Sequence, residues 1–227
     1  MTTALTRYAS LQHTDNHIHI EFSQPHSILS SAVLNGGLVD AQHLLNMKVP
    51  KQSSVDELPA STLTNYCTAE GWQGKAVGMM TAASMKSFRM AKVTEQGIDI
   101  IVLVTSGLSN ARRTGDLAEC RSMTSDPTDV GTINIIVLTS AQLTASASVE
   151  AILVITEAKA AALQEANILS PISNKIATGT GTDSVAVISG QGPEVVHYCG
   201  KHVLFGELLG RLVMDTVASS IAWELKR

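Results

Sequence analysis

Aromatic side chains are scarce in this 227-residue chain, at 4% of positions, so it offers no stacking platform for single-stranded nucleic acid. Charge is scarce too: 16% of residues are charged and the formal net charge is −4, which leaves no positive field to hold a polyanion or an anionic membrane. Cys67, Cys120 and Cys199 are odd in number, far apart and without a C-x-x-C pair. That excludes a disulfide framework and a structural zinc site, and it suits a reducing, cytoplasmic setting. The opening MTTALTRYASLQHTD has no apolar run behind a basic start, and no stretch approaches the roughly 18 apolar residues of a membrane span. A G-x-S-x-G elbow, an H-E-x-x-H helix, a P-loop and a Rossmann G-x-G-x-x-G are all missing.

What is present is 44% hydrophobic residues, enough for one ample core, and a single domain over residues 1–227 is expected. NHIHIEF at Asn16–Phe22 alternates polar and apolar residues as a half-buried strand does, and Ser27–Leu34 reads as a second strand after a Gln24-Pro25-His26 hairpin. Residues from Gly37 to Pro50 read as a connector with a short helical piece. Ser53 or Ser54 offers a cap for a helix through Val55, Leu58, Leu63 and Tyr66, shortened or kinked at Pro59. A strand is expected at Ala76–Ala82, a helix at Met85–Gln96 stopped by Gly97, and a central strand at Ile98–Thr105. A polar loop then leads to a buried strand at Thr132–Thr139. Thr144 or Ser146 caps a long helix to Ala166 with Val149, Ile152, Leu153, Thr156, Ala160 and Leu163 on its inner face. A strand at Ser184–Ser189 and a last helix at Lys201–Lys226 complete the chain. Without strict βαβ alternation, these elements point to an α+β fold, a mixed-sheet α/β layer sandwich rather than a Rossmann fold.

Three segments carry groups suited to chemistry. The run from Thr105 to Asp116 leaves the end of a central strand, where α/β sheets collect ligand groups. It supplies Ser109, Asn110, Arg112 and Arg113, with Asp116 placed to orient an arginine; a capped helix start reads equally well there. In Thr178-Gly-Thr-Gly-Thr-Asp183, Gly181 and its neighbour let the backbone approach a ligand, while Thr180, Thr182 and Asp183 supply hydroxyls, acceptors and a base. At the start of the last helix His202, Gly206 and Gly210 fall four apart on one face, and His202 suits a general base or an electrophile. Glu157 and Lys159 lie about 200° apart on a helix, so one of them at most faces a given site, and Glu157 is the acid. Asn35 in Asn35-Gly-Gly37 can be presented by a flexible turn. His17 and His19 share a strand face, but no third ligand stands at diagnostic spacing, so no metal site is expected.

Taken in order, SSAVLNGG from Ser30, NMKVP from Asn46, VGMMTAA from Val77, GLSNARRTGD from Gly107, GTINIIVLT from Gly131, TEAKAAAL from Thr156, ATGTGTDS from Ala177 and GKHVLFGELLGR from Gly200 resemble the adenosylcobinamide amidohydrolase family (CbiZ type). The resemblance runs from about Ser30 to the end of the chain. It implies hydrolysis of the amide between the cobyric acid part of adenosylcobinamide and its aminopropanol arm, in cytosolic cobamide salvage. It also implies a corrinoid small-molecule partner, no nucleic acid, no membrane and no cofactor of the protein's own, since the cobalt belongs to the substrate; a homo-oligomer stays open. The resemblance assigns no catalytic residue. From the chemistry of amide hydrolysis, Asp183 or Glu157 activates water, His202 protonates the amine, and Asn110 with the glycine-run N–H groups holds the oxyanion. Ser109, Thr180 or Thr182 as a hydroxyl nucleophile is the rival route. Arg112 and Arg113 would then contact the corrin amides, and the Gly206/Gly210 face would take the flat ring. A corrinoid carrier without activity, a self-processing hydrolase and, less well supported, a phosphotransferase remain as alternatives.

Overall fold

The computed structural model describes residues 2–50, 57–119, 123 and 132–226. Its centre is one nine-stranded mixed sheet made from β1 (Thr2–Ala4), β2 (Ala9–His13), β3 (His17–Ser30), β4 (Gly37–Lys48), β5 (Ala76–Thr81), β6 (Arg89–Glu95), β7 (Ile98–Ser106), β9 (Ile133–Thr139) and β12 (Ser184–Ile188). Two-residue strands β8 (Ala111–Arg112), β10 (Gln142–Leu143), β11 (Gly179–Thr180) and β13 (Val195–Val196) form two small ladders. The helices are α1 (Pro59–Ala69), α2 (Ala145–Glu165) and α3 (Leu204–Leu225).

The order β6-β7-β9-β12-β3 continues to β2 and β1 on one edge of β3, while β4 and then β5 add on its other edge. β12 and β9 run parallel, and β7 is antiparallel to both β9 and β6. The two halves of the sheet face each other across a core of Ile18, Ile20, Leu44 and Met79 from one half and Ile101, Leu103, Ile136 and Ile188 from the other. The alternate residues Val102, Val104, Ile135 and Val137 pack outward against α2 and α3. Leu45 and Met47 pack against α1. β7 and β9 are therefore covered on both faces, which is why they read as unbroken apolar runs. The result is the expected mixed-sheet layer architecture.

Several local expectations are corrected. Pro25 makes no hairpin: β3 runs straight through it, and the proline sits where the register with β4 shifts between Glu21 and His26, an irregularity that tolerates a missing donor. The stretch expected to be a connector is β4, paired on both edges. Met85–Gln96 is a 3-10 turn at Met85–Ser87 followed by edge strand β6, and Gly97 closes a tight hairpin with Gln96, both at positive φ (50° and 79°). Pro59 occupies the first turn of α1, where a missing N–H costs nothing, and Leu58 is the N-cap residue; Ser53, Ser54 and Val55 lie outside the described residues. α2 is capped by Thr144, whose hydroxyl accepts from Ala147 N at 3.2 Å, as expected. Its buried face is Ala147, Ala151, Ile155, Ala158 and Ala162, however, while Val149 and Leu153 are exposed.

His17 and His19 do share the outer face of β3, where they join His43, Tyr66 and Trp72. His19 stacks on Trp72 at 3.6 Å. Because a carbonyl only accepts, His43 Nε2 donates to Gln73 O (2.7 Å), so His43 Nδ1 accepts from His19 Nε2 at 3.0 Å. Among the described residues no group of three potential ligands is arranged for a metal. Burial, with His43 and His17 beside it, drives the His19 pKa down to about 3, and burial lowers that of His17 as well. A folded pKa below the unfolded one makes the unfolded chain bind more protons. The stability these residues contribute is therefore present above about pH 6.5 and is lost as pH falls toward about 3. His19→Phe keeps a ring against Trp72 and removes the proton site. Urea unfolding between about pH 4 and 6 should then lose up to one proton of slope, about 1.4 kcal/mol per pH unit. An unchanged slope would place the acid sensitivity elsewhere.

Candidate active site

At one end of the sheet three chain segments meet: the loop leaving β7, the start of β9, and the glycine-threonine run entering β12. Gly107 N donates to Thr132 O (3.0 Å) and Thr178 N to Arg112 O (2.8 Å). β8 and β11 pair Arg112 with Gly179 and Ala111 with Thr180. Two segments singled out in the sequence are thus zipped together by backbone hydrogen bonds.

Asp183 is the hub of this junction. Its Oδ1 accepts from Ile133 N (2.9 Å) and the Thr180 hydroxyl (2.5 Å); its Oδ2 accepts from Thr180 N (3.0 Å) and from Lys159 Nζ on α2. The Asp183 and Lys159 side chains are only 10% and 9% exposed. A carboxylate offers about four acceptor sites, and all are taken. The glycines explain themselves here. A Cβ on Gly179 would stand 2.4 Å from Asp183 Oδ2 and 2.9 Å from Lys159 Nζ, and one on Gly181 would stand 3.1 Å from Asn110 Nδ2. The Thr182 hydroxyl lies 2.7 Å from that of Thr132, which is buried.

The groups open into a cleft of about 510 Å³ lined by Arg112, Arg113, Lys159, Thr180, Thr182 and Asp183, with Glu157 on its rim. A second, more apolar cleft of about 520 Å³ runs between α2 and α3 over Val154, Ala158, Ala161, Gly210 and Met214, and Glu157 borders it too. In the first cleft Arg112 Nη2 is paired with Glu119, while its buried Nη1 has no hydrogen-bond partner among the described residues.

The structure brings together Asp183, Thr180, Gly181, Thr182, Asn110, Arg112 and Arg113, and places the remaining candidates around or away from them. Arg113 Nη1 donates to Ile176 O (2.9 Å). Asp116 binds the backbone N–H of Arg113 (2.8 Å) rather than a guanidinium, and a hydrogen bond from the Ser170 hydroxyl, foremost, holds its pKa down at about 2. Ser109 is exposed on the turn after β7. Glu157 is exposed and paired with Lys201. His202 is exposed in the turn before α3 and lines neither cleft. Asn35, at φ 53°, ties the β3–β4 turn to the start of β5 through Ala76 O (2.8 Å). A Cβ on Gly206 would meet Gly200 O at 2.2 Å and Cys199 O at 2.3 Å, so the chain's own backbone covers it. Gly210 is open, with only Val154 Cγ1 at 3.5 Å.

Two members escaped the sequence reading. Glu157 and Lys159 do point apart, but it is Lys159 that faces the site. The signal was present: Ile155 and Leu163, one turn before and after Lys159, are fully buried, and a cation in such a stripe needs a counter-ion. Thr132 had no signal beyond its place at the mouth of an apolar strand.

The chain is 35% identical over 158 residues to the uncharacterized protein MJ1613 of Methanocaldococcus jannaschii, covering 63% of this chain and 61% of that one. The chain thus matches somewhat under two thirds of that relative's length. It is 28% identical over 202 residues to the adenosylcobinamide amidohydrolase of Methanosarcina mazei, covering 84% of this chain and 88% of the relative. Among solved structures, a Burkholderia sp. beta-aminopeptidase aligns with a TM-score of 0.44 at 13% identity, over 92% of this chain and 78% of the other. The PH0078 protein of Pyrococcus horikoshii OT3 aligns with a TM-score of 0.41 at 10% identity, over 92% and 76%. A family model described as adenosylcobinamide amidohydrolase matches residues 2–227, and on that match the chain belongs to the adenosylcobinamide amidohydrolase family.

Proposed function

We propose that this amidohydrolase cleaves the amide between the cobyric acid part of adenosylcobinamide and its aminopropanol arm, giving adenosylcobyric acid for cobamide salvage in the cytosol. Family membership supports the amidohydrolase class, and the Methanosarcina mazei relative bears the substrate in its name. The observation that carries the site assignment is the donor-rich cleft at Asp183. Among the described residues Arg112 Nη1 has no hydrogen-bond partner, and Lys159 Nζ gives one hydrogen bond. Such a cleft calls for carbonyl oxygens, and a corrinoid carries a fringe of amides. Its body is larger than either cleft alone. With Glu157 on the border of both, the arm enters the Asp183 cleft while the ring lies over the apolar one, where Ala158, Ala161 and open Gly210 leave room for a flat face. Cobalt arrives with the substrate, and the reaction asks for no resident cofactor. Among the described residues Cys67 and Cys199 are buried and free, which accords with a reducing compartment; burial foremost, and the Glu150 charge, push the Cys199 thiol up to about 12, which makes it inert.

Because all four acceptor sites of Asp183 are taken, a water would have to displace one of its donors to lose a proton there. That favours a second reading of the same step, in which the Thr182 hydroxyl, 2.7 Å from Thr132, attacks the carbonyl and water then hydrolyses the ester. A quenched single turnover separates the routes: an acyl adduct on a 24.0 kDa chain marks the hydroxyl, and its absence marks water. The same mass spectrum excludes self-processing when only the intact chain is seen.

For the activity itself, incubation with adenosylcobinamide should release one aminopropanol and one adenosylcobyric acid per amide cut, read by liquid chromatography and mass spectrometry. Corrinoid recovered unchanged while it binds the protein would make this a carrier and overturn the reading.

A further inference from the structure

Resting on the reading just given, we propose that Lys159 is the catalytic cation: anchored by Asp183, its ammonium donates to the carbonyl oxygen of the scissile amide as that oxygen becomes an oxyanion. Four observations converge. Lysine is almost never buried unless paired, yet here it occupies a turn of α2 whose neighbours Ile155, Ala162 and Leu163 are core residues. Replacing a buried ion pair by apolar side chains of similar volume is often neutral or stabilising, so the fold alone does not call for a lysine at this position. Second, an ammonium has three N–H donors, and among the described residues Nζ has one hydrogen-bond partner, Asp183 Oδ2. Donors remain for a ligand, and Lys159 lines the cleft.

Third, the anchor is fixed. Ile133 N, Thr180 N and the Thr180 hydroxyl occupy the other acceptor sites of Asp183, so the carboxylate cannot swing and it holds the cation in place before substrate arrives. An oxyanion site works by such preorganisation, because nothing has to reorient as charge develops. Fourth, the bare Gly179 makes room for the pair itself, since a Cβ there would stand 2.4 Å from Asp183 Oδ2 and 2.9 Å from Nζ and would push the ammonium out of its place in the cleft wall. The rival cation, Arg112, is twice as exposed at 18% and already shares its charge with Glu119. Asp183 is thus a positioning residue, and no proton leaves or joins the Lys159 ammonium in this step. The amide nitrogen leaves with a proton from the attacking water or hydroxyl.

The interaction strengthens as charge builds on the oxygen, so its removal should act on kcat rather than KM. Kinetics on adenosylcobinamide with Lys159→Met should show kcat reduced about 10²- to 10³-fold, the loss typical of one oxyanion donor, and KM within about threefold. Lys159→Met leaves Asp183 unpaired and can fail to fold. The double variant Lys159→Met/Asp183→Asn removes both charges, and is compared with the parent for urea midpoint and kcat. A folded double variant with kcat down at least about 100-fold, together with a Lys159→Ala protein partly rescued by added ethylammonium, supports the role. A double variant within about tenfold of the parent, or a Lys159→Ala protein that ethylammonium leaves unchanged, overturns it. Failure of the parent protein itself to cleave adenosylcobinamide would instead overturn the proposed function.

Discussion

Asp183→Asn should lower the unfolding free energy by about 3–5 kcal/mol, because it strands the Lys159 ammonium in a site where the pair is at most a tenth exposed. The asparagine oxygen can still accept from Ile133 N and the Thr180 hydroxyl. Its amide group, however, would face two donors, Thr180 N and Lys159 Nζ, where the carboxylate had an acceptor. Surface pairs such as Arg211 with Glu207 or Lys201 with Glu157 have no comparable effect, since both partners are more than half exposed and water screens them. The diagnostic is the double variant. Removing the cation as well, with Lys159→Met, should restore most of the lost stability, so that the two substitutions are strongly non-additive in urea unfolding. An Asp183→Asn protein as stable as its parent would mean that the pair does not support the fold. In turnover the expectation runs the other way: Asp183→Asn abolishes cleavage while corrinoid binding persists, and the restored stability brings no activity with it.

The second large effect is a reversal of sign between two glycines one helical turn apart. Gly206→Ala should destabilise by about 1–3 kcal/mol or more, because the new methyl would sit 2.2 Å and 2.3 Å from the carbonyl oxygens of Gly200 and Cys199, backbone atoms that cannot rotate aside. Gly210→Ala meets only Val154 Cγ1 at van der Waals distance and gains helix propensity, so it should stabilise by up to about 1 kcal/mol. Thermal unfolding of the two single variants decides this: equal shifts in the same direction would contradict the packing described. For substrate the order inverts. Gly210 borders the α2/α3 cleft in the open, so its methyl should raise KM for the corrinoid even as the protein gains stability.

How much of this could be read from the sequence depended on the kind of force at each position. Ile98–Thr105 and Thr132–Thr139 were legible because a strand covered on both faces has no polar alternative. Thr144 was legible because a hydroxyl before an apolar helix has a definite partner. The inner face of α2 was misread for a physical reason: Ala147, Ala151, Ala158 and Ala162 let the helix lie close to the sheet, while the larger Val149 and Leu153, which dominate any hydrophobic pattern, face outward. The segment before Gly97 carried the right signal under the wrong interpretation, since a glycine that can end a helix can equally close a hairpin. β4 could not be recognised alone, because what makes it a strand is β3 on one side and β5 on the other. At the site, the glycine-threonine run and the loop after β7 are each legible in the sequence, but their junction is not, nor is the lysine 24 residues upstream of Asp183 that binds it. Such contacts follow from topology, and local spacing does not contain them.

The donors gathered on Asp183 also bear on how the chain folds. Ile133 and Lys159 lie 50 and 24 residues ahead of it, so the anion that completes the site is the last of the three groups to appear as the polypeptide grows. Before it arrives, the turn of α2 holding Lys159 would have to bury a bare cation, and so α2 has no stable docked position on β9 alone. A nascent chain that ends short of residue 183 can already close the backbone junction of residues 107–112 with 132 and 178–180, but it lacks the anion that holds Lys159, so the cleft is completed only as β12 arrives.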